Sequence, residues 1–141
     1  MVFYKRLPTY NPRKTTGHAL KISRAEHKVN CRKSINYGDY GLKTYESTER
    51  YPKSVIKCKS DKQKSALHQT QKPVALLEYL VKTYTNPGEI VLDNCMGSGR
   101  TGVACVNTGR KFIGMELDRD YYDVASMQIE EAIKNREGVV S

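Results

Sequence analysis

No Cys-x-x-Cys occurs in this chain. The four cysteines, Cys31, Cys58, Cys95 and Cys105, are scattered, and His18, His27 and His68 keep no zinc-ligand spacing relative to them. Neither a disulfide framework nor a structural metal is supported, and free thiols in a reducing compartment are expected. Long apolar runs are missing as well. No window approaches the roughly 20 apolar residues of a membrane span, and no signal peptide is visible. The expectation is therefore no membrane, no metal and a cytoplasmic location. Internal repeats and low-complexity tracts are absent, and of the five prolines no two are adjacent. With 141 residues and 16.0 kDa, the chain is long enough for one core but short for a complete doubly wound enzyme.

Positive charge is what the chain has in excess, +9 overall. Residues 1–67 hold 16 Lys+Arg against 5 Asp+Glu, whereas residues 68–141 hold 8 against 10. The front half is thus net +11 and the back half net −2. Such an asymmetry points to a polyanion, nucleic acid foremost, as partner of the front half. Any one lysine does no more than solvate a surface, and tyrosines build ordinary small cores. The combination says more: six of the ten tyrosines (Tyr4, Tyr10, Tyr37, Tyr40, Tyr45 and Tyr51) lie among these cations. Rings set between basic side chains stack on bases while the cations take phosphates. From clustering alone, Lys5, Arg6, Arg13, Lys14, Arg32 and Lys33 are the expected phosphate contacts.

Two textures divide the sequence at residues 1–67 and 68–141. The first is polar and loop-rich, with short strand-like runs at Val2-Phe3-Tyr4 and Ser54-Val55-Ile56-Lys57 and turn formers at Gly17, Asn36, Gly38 and Gly41. The seam is expected in the run from Asp61 to Ser65. From His68 the periodicity sharpens. Pro73 suits the first turn of a helix whose apolar face is Leu76, Leu77, Leu80, Val81 and Tyr84. Asn86-Pro87-Gly88 ends it. Ile90-Val91-Leu92 predicts a strand covered on both faces. A helix follows to about Asn107, with Gly109 as its C-terminal cap. Phe112 to Glu116 predicts the next strand, and Asp118 caps a last helix with inner face Tyr121, Ala125, Ile129, Ala132 and Ile133. This order predicts an α/β unit with parallel strands.

The chemistry lies where the first of these strands breaks into a small-residue loop: Asp93-Asn94-Cys95-Met96-Gly97-Ser98-Gly99. Gly97-Ser98-Gly99-Arg100-Thr101-Gly102 fits G-x-G-x-x-G, a weak sign of a dinucleotide site taken alone. Its position argues against a nicotinamide cofactor, because Asp93 and three further residues separate the strand from the first glycine, and an acid there repels a pyrophosphate. An acid at that place suits an ammonium. S-adenosylmethionine meets both demands, with its ammonium for Asp93, directly or through water, and its ribose diol for Glu116. Asp93 alone reads as a turn residue and Glu116 alone as a surface acid. Their pairing at this spacing favours the cofactor.

These residues carry a resemblance. HQTQKP (His68 to Pro73), the helix VALLEYLVKTYT, VLDNCMGSGRTGVAC and GRKFIGMELDRDYYDVA resemble the cofactor-binding part of the DNA adenine-N6 and cytosine-N4 methyltransferases, and LPTYNPR does so more loosely. The resemblance implies an α/β, partial Rossmann-like S-adenosylmethionine-dependent methyltransferase fold behind a basic, loop-rich N-terminal region that contacts double-stranded DNA. It places Gln71, Lys72 and Pro73 at the methionine end of the cofactor, Asp93, Gly97, Ser98, Gly99 and Thr101 in the cofactor loop, and Glu116 on the ribose. Two departures stand out. Gln69 replaces a proline of the family pattern, and Arg100 stands where a small hydroxyl residue is common, opposing the helix dipole and crowding the pocket. The family's Asp/Asn/Ser-Pro-Pro-aromatic tetrapeptide, which holds the target amine and stacks on the flipped base, has no counterpart. Asn11-Pro12-Arg13 and Asn86-Pro87-Gly88 only imitate it, so no catalytic residue is assigned. The chain therefore reads as the C-terminal portion of a methyltransferase. A subunit paired with a separate chain bearing that motif and a non-catalytic DNA-binding remnant are the alternatives.

Overall fold

A computed structural model describes residues 8–23, 33–34, 38–39, 44–53, 55–59 and 71–138. The chain forms two compact units, one of Arg13–Ser54 and one of Met1–Pro12 with Val55–Ser141. The division thus falls at residues 12/13 and 54/55, not at the end of the basic half. The expected seam from Asp61 to Ser65 and the strand-like Val2-Phe3-Tyr4 lie outside the described residues.

In the Arg13–Ser54 unit the described backbone pairs in antiparallel fashion. Strand β1 (Lys21–Ser23) runs against β4 (Tyr45–Ser47), with Ile22 opposite Glu46. The short β2 (Lys33–Ser34) pairs with β3 (Gly38–Asp39), and a bridge joins Thr15 to Arg50. Sequence reading expected irregular loops here. Strands of two or three residues carry too little alternation to be recognised, and β1 finds its partner more than 20 residues further on. The Arg50 guanidinium ties the pairing together by donating to the carbonyls of Ala19, Ser47 and Glu49.

The larger unit follows the predicted helix and strand order. Helix α1 (Val74–Tyr84) starts after Pro73, whose missing N–H costs nothing at a helix start. Its Thr83 is buried and donates to the carbonyl of Tyr79. Asn11 closes the other end of the helix. Its backbone amide donates to Thr83 O at 2.7 Å, and its side-chain amide reaches the carbonyls of Lys82 and Thr85. Asn11 therefore caps carbonyls at the end of α1, and Arg110 also donates to that of Thr85 at 2.8 Å. Nearby Tyr10 packs on Tyr84, with ring centroids 6.1 Å apart.

Strands β5 (Ile90–Asp93) and β6 (Lys111–Gly114) pair in parallel, Asp93 lying opposite Gly114. Between them runs α2 (Arg100–Thr108), which ends on Gly109 in the left-handed conformation at φ 74°. Helix α3 (Arg119–Gly138) begins where the Asp118 carboxylate accepts the Tyr121 amide at 3.1 Å, a cap worth about 1 kcal/mol. Helices α1 and α3 both pack on α2, which also lies against β6. The core is small: Val81, Met96, Ala104, Cys105, Ala125 and Ala132. A Cβ on Gly102 would overlap Ile129 and Phe112, so α2 approaches both neighbours more closely than a larger residue allows.

Three expectations are corrected. Ile90 and Leu92 are each 60% exposed, and Ile113 is exposed as well. A continuous apolar run shows that a strand is suited to burial on two faces, but helices cover only one face of this pair. Val55 to Lys57 forms no strand, since neither neighbour in the described chain pairs with it. On the helices, the deepest positions are the small ones: Leu80, Tyr84 and Ile133 are exposed, while Val81, Ala125 and Ala132 are buried.

Cys58, Cys95 and Cys105 are free thiols. Burial pushes the Cys105 thiol up to about 11, whereas Cys58 and Cys95 are exposed. Since the thiolate is the reacting species, iodoacetamide at pH 8 is expected to label Cys58 and Cys95 in the native chain and Cys105 only on unfolding. Peptide mass mapping checks this, and rapid native labelling of Cys105 would contradict the core assignment.

Candidate cofactor site

The carboxyl ends of β5 and β6 and the start of α2 meet at a cavity of about 480 Å³, inside the roughly 300–1,000 Å³ range of small-molecule sites. Of the residues expected to bind the cofactor, Gln71, Lys72, Asp93, Gly97, Ser98, Thr101 and Glu116 line it. Pro73 and Gly99 do not. Pro73 serves as the N-terminal boundary of α1. Gly99 adopts φ 75° at the start of α2, where a Cβ would stand 2.7 Å from the Cβ of Ala125. Leu77, Cys95, Met96 and Arg100 complete the lining. Of these, Arg100 is the residue expected from the sequence to crowd the pocket, and it lines the cavity.

Each strand end contributes a carboxylate, and the two are held differently. Asp93 Oδ1 accepts the Cys95 amide at 3.2 Å, and its Oδ2 accepts the Thr101 hydroxyl at 2.7 Å. Glu116, two residues beyond β6, accepts three backbone amides: Gly97 at 2.8 Å, Leu117 at 2.9 Å and Asp118 at 3.1 Å. The Asp118 amide first, and the Gly97 amide second, hold the Glu116 carboxyl below its ordinary value of 4.5. A carboxylate offers about four acceptor sites, so each acid keeps capacity for a ligand donor. Two further amides pin the loop, Met96 to the Met115 carbonyl at 3.0 Å and Gly99 to the Met96 carbonyl at 2.9 Å. Gly97, at φ 53°, makes the turn that aims its amide at Glu116.

The donor set is chemically divided. Lys72 and Arg100 supply cations and Gln71, which is buried, supplies an amide, while Asp93 and Glu116 supply acceptors. That combination fits a ligand carrying a carboxylate, an ammonium and a diol. Among the described residues, no cluster of three His, Cys, Asp or Glu could hold a metal, and no helix is long and apolar enough to cross a membrane.

The expected phosphate contacts are not brought together in the same way. Lys14 pairs with Glu49 at 2.9 Å and lies 5.1 Å from the centre of the Tyr51 ring. Arg13 is exposed. Lys33 stands in β2, with its side chain outside the described part, as are Lys5, Arg6 and Arg32 entirely. Lys14, Lys21, Tyr45, Arg50 and Tyr51 do line one groove of the Arg13–Ser54 unit, together with Glu46 and Glu49.

Because the folded-state pKa of Glu116 is depressed, its contribution to stability is complete above the ordinary carboxylate value and is lost as pH falls through the lower folded one. The melting temperature of the chain is expected to drop on acidification below about pH 4.5, and Glu116→Gln is expected to flatten that drop. An unchanged pH profile in Glu116→Gln, followed by circular dichroism, would remove the clamp assigned to this side chain.

The DNA methylase family profile matches residues 4–127. The DNA adenine methyltransferase YhdJ of Escherichia coli strain K12 is 43% identical over 65 residues, which cover 46% of this chain and 22% of that protein. The type II methyltransferase M2.DpnII of Streptococcus pneumoniae is 41% identical over 63 residues, covering 45% of this chain and 24% of its own. The chain thus spans less than a quarter of either relative. Among solved structures, the cytosine-N4-specific PvuII DNA methyltransferase is similar in fold, with a TM-score of 0.50 at 19% identity over 77% of this chain and 49% of that one. With the family profile covering most of its length, and with the two acids and the glycine loop gathered at one cavity, the chain belongs to the N6/N4 DNA methylase family.

Proposed function

We propose that this chain provides the S-adenosylmethionine-binding part of a DNA methyltransferase that modifies the exocyclic amine of adenine (N6) or cytosine (N4). The observation that carries the reading is the pair of carboxylates, Asp93 and Glu116, at adjacent parallel strand ends around one glycine loop and one cavity. When bound, the cofactor supplies a methyl group activated on a sulfonium. Asp93 receives its ammonium, Glu116 its ribose diol, and Gln71 and Lys72 its carboxylate. Gly97, Ser98 and Gly99 let the backbone close around it, with Thr101 and Pro73 fixing the surrounding elements. What the chain contributes to rate is orientation, which holds the reacting carbon for in-line displacement.

The tetrapeptide that would hold the target amine is not in this sequence, which favours a division of labour with a companion chain or segment carrying it. A cytoplasmic setting accords with the exposed free thiols of Cys58 and Cys95. For the cofactor reading, S-adenosylhomocysteine at a hundredfold excess over its dissociation constant is expected to stabilise the chain by about 2.7 kcal/mol, a rise of several degrees in melting temperature. NADH is expected to leave the melt unchanged. Stabilisation by NADH and none by S-adenosylhomocysteine would reject the assignment.

DNA contact is assigned to the basic front part, residues 1–67, with cofactor binding assigned to residues 68–141. The Arg13–Ser54 unit alone holds 10 Lys+Arg against 4 Asp+Glu. Its groove sets Tyr45 and Tyr51, both exposed, beside Lys14, Lys21 and Arg50. Arg13 is exposed in the same unit, and Lys5, Arg6, Arg32 and Lys33 are proposed as further phosphate contacts from their charge alone. Each phosphate contact contributes roughly 0.9 to the slope of log affinity against log salt. Duplex binding is expected to weaken steeply with salt, and Arg13→Ala with Lys21→Ala to lower the slope by about 2. Affinity indifferent to salt in fluorescence anisotropy would count against this surface.

A further inference from the structure

We infer that Thr101 is a positioning residue for the cofactor ammonium, acting through Asp93, which accepts its hydroxyl. This rests on the cofactor reading above. Sequence pattern placed Thr101 among the cofactor contacts, but the structure spends its hydroxyl on Asp93 Oδ2, at 2.7 Å. The contrast with the second acid explains why that bond matters. Glu116 is fixed by three backbone amides, so its orientation follows from the path of the chain. Asp93 has one backbone amide, that of Cys95, at the longer distance of 3.2 Å. The Thr101 hydroxyl is the shorter of its two contacts and the one supplied by a rigid element.

That rigidity is built into α2. The helix is seated by the close approach of Gly99 to Ala125 and of Gly102 to Ile129 and Phe112, and a β-branched threonine in a helix has few χ1 choices. A hydroxyl on such an element holds its acceptor more firmly than one on a loop. With Oδ1 engaged by Cys95 and Oδ2 by Thr101, the remaining acceptor sites of Asp93 point in fixed directions. They match an ammonium, a donor group that the ribose and base ends of the ligand lack. Thr101 therefore governs affinity for the amino-acid end of the cofactor and leaves the nucleoside end alone.

Isothermal calorimetry on the full chain with two ligands separates this role from a general structural one. S-adenosylhomocysteine carries the ammonium; 5′-methylthioadenosine does not. Thr101→Val is expected to weaken S-adenosylhomocysteine roughly tenfold, the effect of losing one hydrogen bond to a charged acceptor, with 5′-methylthioadenosine unchanged and Thr101→Ser restoring the first ligand. Equal weakening of both ligands, or no weakening of either, overturns the positioning role. If the unsubstituted chain binds neither ligand, the cofactor reading fails and the proposal with it. Should Thr101→Val not fold, Thr101→Ala against Thr101→Ser carries the same comparison.

Discussion

The larger unit depends on one electrostatic constraint: a small-residue loop held from two sides by carboxylates that leave the ends of adjacent strands. Asp93 and Glu116 each accept backbone amides, Asp93 that of Cys95 and Glu116 that of Gly97, and Asp93 also accepts the Thr101 hydroxyl. Glycine at 97 lets an amide face Glu116, and glycine at 99 lets α2 begin directly above Ala125. A methyl group at either place disturbs the clasp, by backbone strain at both and by overlap at the second.

How much of this was legible in the sequence depends on the range of the interaction. The helices from Val74 to Gly138 announce themselves through apolar spacing, Pro73, Gly109 and Asp118, all signals within a turn or two. The two acids were legible as a pair, at strand ends with a glycine loop between them, since either one alone reads as a turn residue or a surface acid. What stayed hidden was set by torsions and by neighbours. Met96 and Cys95 enter the cavity because of the turn between Asp93 and Gly97, which no periodicity encodes. Thr101 lines the cavity, yet its hydroxyl is taken up by Asp93 Oδ2, a pairing that no periodicity encodes. The exposed face of β5 could not be foreseen, since an apolar strand specifies that it wants cover and not whether cover is present.

The basic part of the chain was legible as charge and illegible as structure. Its pairings join residues such as Lys21 and Ser47 through strands too short and too polar to show a period. Asn11, which looked like part of an imitation of a catalytic tetrapeptide, instead caps α1. Lys14 is present where a phosphate contact was expected, yet it already has Glu49 as partner. A charge count locates a partner's sign, whereas the individual contacts depend on which cations the fold has neutralised.

One feature of the chain path bears on how such a protein diversifies. The Arg13–Ser54 unit is an excursion that leaves the larger unit after Pro12 and returns to it at Val55. Lengthening an excursion costs little in closure entropy, about 0.6 kcal/mol for each doubling of its length. Residues on either side of it are constrained differently, Asn11 by the carbonyls of α1 and the glycine loop by its two acids. Selection for a new binding preference can therefore rewrite the excursion wholesale, with the ligand clasp passed on unaltered. Relatives are expected to diverge in length and composition chiefly between those two points.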